Sequence, residues 1–482
     1  MSRTKHASRT KIVATLGPAT DDLATLTEMV RAGLDVARVN FSHGRHEDHA
    51  RRIQLVRDAA ARAGQYVGIL ADLGGPKIRI ESFRGGKITL ADGQRFALDC
   101  AHDPSAGTSE IVGCAYEQLA LDVKPQDRLL LADGQIELEV AAIKGTRIDT
   151  IVRAGGELSD RKGLNLKGGG ISAPALTDKD RVDIGFAAEQ GVDYLAVSFA
   201  RNADDITQAR ELLQAAGGQG HVCAKIERHE AISALNEIID ASNVVMVARG
   251  DLAVEMGYAE LTGLQKTIIQ RARHRNKVVI TATQMMESMI TSPVPTRAEV
   301  SDVANAVIDG TDAVMLSAES AVGKYPVKAV QAMEEVILGA EKYQLRSTRI
   351  QQRVNGHFAK AEEAIASAVM YTANHMNVRA IVALTESGST ALWMSRIRSD
   401  IPIYAFTRHE HTRRRVTIYR GVFPVPFDLP NTSAPQLYQA IFSLLLQLEL
   451  VEVGDLVILT KGDLTGISGG TNAMKILRVE RS

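Results

Sequence analysis

Short apolar runs alternate with longer amphipathic segments over most of the first 342 residues. Eight of these runs are strand-length, and a helical pattern follows each one, although about a hundred residues separate the third run from its helix. Eight strand–helix units of this kind predict an α/β fold, a TIM (β/α)8 barrel with one insertion. The predicted strands begin at Ile12, Asp35, Tyr66, Tyr194, His221, Asn243, Lys277 and Asp312.

The insertion, residues 76–170, has a different pattern. Apolar and polar positions alternate between Asp-Gly turns, which predicts a small β-barrel domain placed as a lid. It closes with three consecutive glycines, 168–170, which are consistent either with a hinge or with an ordinary flexible return. The barrel then comprises residues 1–75 and 171–342. The alternation restarts after residue 342 and predicts a C-terminal α/β domain over 343–482.

The composition of the chain argues against several classes of function. The 482 residues carry 56 basic and 57 acidic side chains, a net charge of −1, which argues against a nucleic-acid partner. The longest apolar runs fall short of the roughly 18–20 residues that cross a bilayer, and the N-terminus has no secretion signal, so we expect no membrane association and a cytoplasmic location. The widely spaced Cys100, Cys114 and Cys223 form no zinc pattern or disulfide framework, which predicts inert buried thiols.

Polar side chains collect at the ends of the predicted strands. A barrel places its active site on the loops that follow its strands, so these positions are the candidates for chemistry. One such residue alone is more often a cap or a solvated loop position, but seven strand ends carry them. They are Arg38, Asn40, Ser42, Asp72, Ser198, Lys225, Glu227, Arg249, Gly250, Asp251, Thr283, Gln284, Ser317 and Glu319.

Two of the carboxylates, Glu227 and Asp251, end consecutive strands beside Lys225. Mg²⁺ in proteins takes one or two carboxylates and fills its other positions with water and substrate oxygens, so the pair predicts a magnesium site. The alternative is that the two carboxylates form salt bridges with Arg228 and Arg249. A metal beside a lysine is an electrophilic clamp that suits phosphoryl transfer or an enolate. The usual phosphate-loop and protein-kinase motifs do not occur.

Seven segments, in order along nearly the whole chain, resemble the pyruvate kinase family. The chain also begins almost at the barrel, which suits a bacterial-type member. The segments are ARVNFSHG (37–44), GGPKIR (74–79), KIERHEAI (225–232), VARGDLAVE (247–255), TATQMMESM (281–289), PTRAEVSDVANAV (295–307) and MLSAESAVGKYP (315–326).

The resemblance implies transfer of the phosphoryl group of phosphoenolpyruvate to ADP, with ATP as product and Mg²⁺ or Mn²⁺ as cofactor. By the same match the catalytic residues are Lys225, Arg38 and Thr283, and the metal ligands are Glu227 and Asp251. The implied phosphoenolpyruvate site is Arg38, Ser198, Lys225, Gly250, Asp251 and Thr283. The implied nucleotide site is Asn40, Phe41, Ser42, His43, Arg79 and Lys162, with the last two on the lid.

One departure from the family concerns K⁺. Many members hold this ion with a threonine at the position of Leu73 and carry a glutamate at the position of Lys77. The Lys77 ammonium could take the role of the ion, so we expect activity that does not require K⁺. The implied cation-substitute site is Asn40, Ser42, Asp72 and Lys77.

The C-terminal domain resembles a regulatory domain. A hydroxyl-rich turn between a strand and a helix can hold a phosphate through backbone N–H groups, although simple helix capping is the alternative. The resemblance implies an effector, a phosphorylated metabolite, and a second loop, TGISGGTNAMK (465–475), that faces the turn; a homotetramer is implied as well. The turn is Thr385, Glu386, Ser387, Gly388, Ser389 and Thr390.

Two other functions are open at this point. A Mg²⁺-dependent barrel lyase or aldolase could use the same clamp on pyruvate enolate, but it would need no nucleotide. A catalytically weak metabolite sensor built on the C-terminal domain would not need the catalytic set.

Overall fold

The computed structural model describes residues 8–347, 358, 360–428, 433–462 and 470–481. Its central unit is a closed barrel of eight parallel strands, which confirms the predicted fold class. In barrel order the strands are β1 (Lys11–Thr15), β2 (Leu34–Asn40), β3 (Gly68–Asp72), β12 (Tyr194–Val197), β13 (His221–Ile226), β14 (Val244–Ala248), β15 (Val278–Ala282) and β16 (Ala313–Leu316).

Most residues of these strands are buried on both faces. Helices cover the outside of a parallel barrel while side chains fill its inside, which explains why the strands read as continuous apolar runs. The helices of the barrel and its insertion are α1 (Leu23–Ala32), α2 (His46–Ala63), α3 (Leu119–Asp122), α4 (Asp178–Glu189), α5 (Ala203–Ala215), α6 (His229–Ser233), α7 (Leu235–Ala241), α8 (Arg249–Met256), α9 (Tyr258–His274), α10 (Arg297–Asp309), α11 (Ala318–Ala321) and α12 (Pro326–Ser347).

The strands of the insertion lie between β3 and α4 in the chain. They form a six-stranded sheet in the order β11-β7-β8-β9-β5-β6 and a two-stranded sheet of β10 and β4. β11 and β6 stand at the edges of the larger sheet, and residues 78–81 join them. Ile78 and Ile80 hydrogen-bond to residues 162–164, and Arg79 and Glu81 to residues 113–115, which agrees with the predicted small β-barrel. The strands are β4 (Lys87–Leu90), β5 (Arg95–Asp99), β6 (Ile111–Gly113), β7 (Arg128–Leu131), β8 (Ile136–Lys144), β9 (Arg147–Ala154), β10 (Gly156–Ser159) and β11 (Leu164–Leu166).

The C-terminal domain is a five-stranded sheet with helices, in the order β19-β18-β17-β20-β21. Its edge strand β19 carries two prolines, whose missing N–H groups are tolerated at a sheet edge. The elements are α13 (Ala361–His375), β17 (Val378–Leu384), α14 (Ser389–Ser395), β18 (Ile403–Thr407), α15 (Glu410–Arg415), β19 (Val422–Pro426), α16 (Ala434–Gln447), β20 (Leu456–Gly462) and β21 (Thr471–Arg478).

The C-terminal domain packs against the amino ends of the barrel strands. Arg396 forms an ion pair with Asp312 in which both side chains are only 2% exposed, and Arg414 binds Asp193 at 3.2 Å. The buried interior of the barrel is continuous with the core of this domain. The carboxyl ends of the strands, at the opposite side of the barrel, therefore stay free for the insertion and for a site.

No helix in the described ranges is long and apolar enough to cross a bilayer.

Candidate active site

A buried cluster of charged and hydroxyl side chains lies at the carboxyl ends of β3, β12 and β13. The ammonium of Lys225 is at its centre, 2.7 Å from Ser198 Oγ and 2.8 Å from Glu227 Oε1. It also lies 3.4 Å from Asp72 Oδ1. These strands are neighbours in the barrel, so a residue just past the end of each one reaches the same point. The structure thus brings together four of the residues collected at the strand ends.

The charges in this cluster stabilise one another. Burial would lower the pKa of Lys225, but Asp72 and Glu227 outweigh it, and the pKa of the ammonium lies above its ordinary value. Burial would likewise raise the pKa of Asp72, yet Lys225 and Arg38 hold the pKa of that carboxyl below its ordinary value. Lys225 is therefore a fixed cation and Asp72 a fixed anion.

Arg38 lies on the other side of Asp72. Its Nε and Nη2 atoms each lie 2.7 Å from Asp72 Oδ2, a two-pronged contact that fixes the plane of the guanidinium. A further bond of 2.9 Å runs from Nη1 to Thr15 Oγ1. Two cations, Arg38 and Lys225, are thus held in place by one buried carboxylate.

The two predicted metal ligands lie near each other. Burial raises the pKa of Glu227, and the negative charge of Asp251 raises it further, against the effect of Lys225. One oxygen of Glu227 is held by the backbone N–H of Phe199 at 2.8 Å. Asp251 stands in the first turn of α8, where its Oδ1 accepts a bond of 3.1 Å from Lys77 Nζ.

The alternative of two arginine salt bridges is wrong. Arg228 binds Glu230 at 3.1 Å instead. Arg249 binds Asp302 at 2.8 Å and donates to the carbonyl oxygen of Ala282. Both arginines therefore hold neighbouring loops in place, while the charge partners of the predicted metal ligands are lysines.

Thr283 and Gly250 meet beside the metal ligands. The backbone N–H of Gly250 donates to Thr283 Oγ1 at 2.9 Å, and the Thr283 hydroxyl donates to the carbonyl of Ala282 at 2.6 Å. Thr283 and Gln284 have φ values of 69° and 52°. A left-handed backbone is costly for a β-branched residue and persists only where the surrounding contacts enforce it, as they do at many active sites.

The predicted nucleotide residues fall on two separate parts of the chain. The loop after β2 leaves Ser42 and His43 exposed, while Phe41 is buried and its carbonyl accepts a bond of 2.7 Å from Lys179. On the insertion, Arg79 pairs with Gly163 in a short antiparallel bridge, which places it beside Lys162. Asn40, Phe41, Ser42 and His43 thus stand at the end of β2 and in the loop after it, whereas Arg79 and Lys162 stand on the insertion, so separate parts of the fold hold the two groups.

Lys77 makes its contact with the predicted metal ligand Asp251. In the predicted cation-substitute site it is grouped with Asn40, Ser42 and Asp72. Of these, Asn40 Oδ1 accepts the backbone N–H of Ser42 at 3.1 Å. The role of Lys77 as a replacement for a monovalent cation stays a prediction.

The predicted effector turn connects β17 to α14. Thr385 Oγ1 accepts the N–H of Gly388 at 2.9 Å, and Ser387 donates to Ser389 Oγ at 3.3 Å. Glu386 lies 2.5 Å from His409 and 3.4 Å from Arg408, so the guanidinium of Arg408 offsets part of its negative charge. Residues 465–469 of the predicted facing loop lie outside the described residues.

Thr390, the last residue of this turn, is buried. Its hydroxyl lies 2.6 Å from that of Thr471, the first residue of β21, so the turn is attached to the strand that follows the facing loop.

Glu255 is a site residue that the sequence reasoning missed. It is only 7% exposed and lies one helical turn after Asp251 on α8. Its Oε2 accepts the N–H of His229 at 2.8 Å, and Asn165 of the insertion lies 3.5 Å from its Oε1. Burial raises its pKa to about 7. The spacing of four from Asp251 was the available signal, since it places both carboxylates on one face of a helix.

The return of the insertion to the barrel is held by a second carboxylate near Glu255. Glu230 Oε1 accepts the N–H of Gly170 at 2.6 Å, and Arg228 donates to the carbonyl of Ile171. All three glycines of the return have positive φ, between 79° and 109°. Such angles explain why glycine stands at all three positions, since other residues adopt them only with strain. They fit a hinge and an ordinary return equally, so the hinge stays a prediction.

Comparisons with known proteins match the whole length of the chain. A family model described as pyruvate kinase, barrel domain, matches residues 7–330, and one described as pyruvate kinase, alpha/beta domain, matches residues 363–477. Pyruvate kinase II of Salmonella typhimurium is 52% identical over 99% of this chain and 100% of that protein. Pyruvate kinase of Haemophilus influenzae is 48% identical over 99% of this chain and 100% of that protein.

A more distant relative, pyruvate kinase of Geobacillus stearothermophilus, is 42% identical over 97% of this chain and 80% of that protein. These matches give no support to the lyase alternative. Members of the matched family are phosphotransferases that act on phosphoenolpyruvate and ADP and generally use Mg²⁺ and K⁺. The chain belongs to the pyruvate kinase family.

Proposed function

We propose that the buried cluster around Lys225 is where this enzyme moves the phosphoryl group from phosphoenolpyruvate to ADP. The observation that carries the proposal is the arrangement of Arg38 and Lys225 around Asp72. In phosphoryl transfer, negative charge spreads over the oxygens of the transferring group, and cations fixed in advance stabilise it without further reorganisation. The carboxylate of Asp72 fixes both cations.

Glu227 and Asp251 would hold the Mg²⁺ or Mn²⁺ ion. They supply two carboxylate oxygen donors of the kind that Mg²⁺ prefers, and the charge of one raises the pKa of the other, a repulsion that a divalent cation would relieve. When bound, the ion neutralises negative charge on the substrate oxygens. Lys77 would have to leave Asp251 for that carboxylate to reach the ion, and its ammonium would then be free for a nearby anion.

Phosphoenolpyruvate would lie between this metal pair and the strained turn at Thr283. Backbone N–H groups at the start of α8, at Gly250 and Asp251, would receive its carboxylate, with Ser198 and Thr283 beside it. Thr283 Oγ1 stands next to the place where the enolate forms, which puts it in the region of proton delivery. The bond that this hydroxyl donates to the carbonyl of Ala282 would keep it oriented once the N–H of Gly250 turns to the carboxylate.

The nucleotide would lie between the loop Asn40–His43 and the insertion. Closing the insertion over the barrel would bring Arg79 and Lys162 to the ADP phosphates and keep water from the transferring group. The three glycines of the return, held by Glu230, give this motion a defined pivot.

We further propose that the enzyme does not require K⁺, because Lys77 and Leu73 replace the residues that accompany the ion in many family members. We propose a homotetramer in the cytoplasm, regulated by a phosphorylated metabolite at Thr385–Thr390. Glu386 adds a negative charge to this turn, and the neighbouring Arg408 and His409 are already engaged with it. A sugar monophosphate or AMP therefore suits this turn better than a bisphosphate.

The replacement of Lys225 by methionine tests the proposal. Methionine keeps most of the length of the side chain and removes the charge, so we expect kcat to fall by about 10²- to 10³-fold or more. A lactate dehydrogenase-coupled assay, run with and without ADP and Mg²⁺, measures the rate. Lys87→Met removes a lysine that pairs with Glu157 on the surface and serves as the control. A kcat near that of the unchanged enzyme in Lys225→Met would overturn the assignment.

A further inference from the structure

Two of the three cysteines lie side by side in the insertion, which their wide spacing in the sequence does not suggest. β5 and β6 are parallel neighbours, and the last pair in their register is Asp99 with Gly113. Cys100 and Cys114 are the next residue on each strand. Neighbouring strands are about 4.8 Å apart, within the Cα–Cα range of roughly 4.4–6.8 Å that disulfides span.

The two thiols differ in the ways that a nucleophilic and a resolving cysteine differ. Cys100 is half-buried, whereas Cys114 is 4% exposed and packs in the core of the insertion. A hydrogen bond with the Cys114 side chain lowers the pKa of Cys100 to about 7, against the effect of burial, with help from the N–H groups of Leu119 and Ala120. The same bond raises the pKa of Cys114. A thiolate at neutral pH is the reactive form.

Cys114 is also tied to the strand that carries Arg79. It pairs with Ile80 in an antiparallel bridge. The bridge consists of two hydrogen bonds: the N–H of Ala115 donates to the carbonyl of Arg79 at 3.1 Å, and the N–H of Glu81 donates to the carbonyl of Gly113 at 2.8 Å. A displacement of Cys114 therefore moves the backbone of Arg79.

Cys100 is tied to the return of the insertion. Its thiol donates to the carbonyl of Tyr116 at 3.3 Å. The Tyr116 hydroxyl donates to Asp122 at 2.8 Å and lies 3.1 Å from Ser172 Oγ. A disulfide removes the S–H donor of Cys100 and leaves the Tyr116 carbonyl without this partner.

We propose that Cys100 and Cys114 form an oxidation site in which a peroxide closes a disulfide, and that this disulfide weakens the binding of ADP through Arg79. The Cys100 thiolate attacks one oxygen of the peroxide, the O–O bond breaks, and a sulfenic acid forms while the other oxygen leaves as water after taking a proton. The Cys114 sulfur then attacks the Cys100 sulfur, the S–O bond breaks, and a second water leaves. The pair of sulfurs loses two electrons, and the peroxide gains them.

The geometric consequence is a displacement at one edge of the sheet. Disulfides most often join Cα atoms about 5.5–6 Å apart, whereas neighbouring strands are about 4.8 Å apart, so closing the bond favours a shift of Cys114 relative to Cys100. The two backbone hydrogen bonds to Arg79 and Glu81 shift with it. The first part of the proposal, the disulfide, stands without any assumption about activity. The second part rests on the proposed function of Arg79.

The experiment treats the full-length enzyme with hydrogen peroxide and digests it without reduction. We expect mass spectrometry to find the peptide of Cys100 joined to that of Cys114, and dithiothreitol to separate them. Cys223 is the internal control, because it is wholly buried in the barrel and burial raises its pKa, so it should stay reduced. Cys100→Ser and Cys114→Ala should yield no joined peptide.

Kinetic measurements test the disulfide and its effect on Arg79 separately. After oxidation we expect the KM for ADP to rise about tenfold, which corresponds to about 1.4 kcal/mol of binding free energy, while the KM for phosphoenolpyruvate changes little. Cys100→Ser should show no such rise under the same treatment. Oxidation of Cys100 to a sulfinic acid with no joined peptide would overturn the disulfide. A joined peptide with an unchanged KM for ADP, or with both KM values raised equally, would overturn the link to Arg79.

Failure of the proposed function would give a different pattern. In that case the reduced enzyme would not turn over phosphoenolpyruvate and ADP, yet the joined peptide would still form.

Discussion

Glu255 gives a quantitative test of the contact between the barrel and its insertion. The carboxyl is 7% exposed, lies between the N–H of His229 and Asn165, and has a pKa raised by burial to about 7 from an ordinary value of 4.5. Of the charged neighbours, Arg228 lowers this pKa and Glu230 raises it. The perturbation is Glu255→Gln, which keeps the shape and one acceptor oxygen but does not titrate.

The direction in which stability changes with pH follows from proton binding. Between pH values of about 4.5 and 7 the folded protein holds the Glu255 proton and the unfolded chain does not, so the free energy of unfolding falls as pH rises through this window. The difference between the two pKa values corresponds to roughly 3 kcal/mol, of which roughly 2 kcal/mol falls between about pH 5.5 and about pH 8.5. The free energy of unfolding of Glu255→Gln, compared with that of the unchanged protein, should therefore rise by roughly 2 kcal/mol over that interval.

Urea unfolding followed by circular dichroism, at both pH values and for both proteins, measures the change. Comparing the two proteins at each pH cancels the titration of all other groups. Glu299→Gln is the matched control: contacts with Ser288 and Thr296 outweigh burial and hold the pKa of Glu299 below its ordinary value. Glu299 is thus ionised in both states above about pH 5.5, and its variant should show a constant difference. A constant difference for Glu255→Gln as well would refute the reasoning.

Two further predictions concern the monovalent cation and the effector. We expect the unchanged enzyme to keep its activity when tetramethylammonium replaces K⁺, and Lys77→Glu to become dependent on K⁺; a collapse of the unchanged enzyme in tetramethylammonium would contradict the role of Lys77. We expect the joint replacement of Ser387 and Ser389 by alanine to remove activation by a sugar monophosphate or AMP and to keep the basal rate in the coupled assay. Activation that survives this change would place the effector elsewhere.

The barrel could be predicted from the sequence because its strands obey a local rule. Each one is an apolar run of a few residues followed by a helical pattern, and parallel strands covered by helices must be apolar on both faces. The polar residues at the strand ends were predictable for the same reason, since the fold itself places the ends of all eight strands at one side. Lys225, Glu227 and Asp72 therefore meet as expected.

The inserted domain was predictable in its strands but not in the contacts that join its edges. Alternation and Asp-Gly turns identify hairpins such as β7–β8. Residues 78–81 join the outer strands β11 and β6, and this pairing depends on twist and packing between segments that are far apart in the chain. The strand β19 was not predictable from the sequence because its two prolines argue against a strand, and only its position at the sheet edge makes them acceptable.

The partners of the buried charges could not be predicted from the sequence. Glu227 and Asp251 could have paired with the arginines next to them, and the structure pairs them with lysines instead. The partner of a buried charge depends on which side chain the backbone directs toward it, and Lys77 reaches Asp251 across 174 positions of the chain. The same holds for Cys100 and Cys114, which are adjacent only because β5 and β6 are.

The sequence by itself thus determined which elements form, in which order, and which chemical groups stand at their ends, since those features follow from local periodicity and from the types of residue. The tertiary structure alone decided the distances and partners: Lys225 as the shared cation, Glu255 as a contact between helix and insertion, and two thiols within reach of each other. Hydrophobic burial specifies that a strand is inside, but the electrostatic partner of a group depends on atoms a few ångströms away, which sequence distance does not reveal.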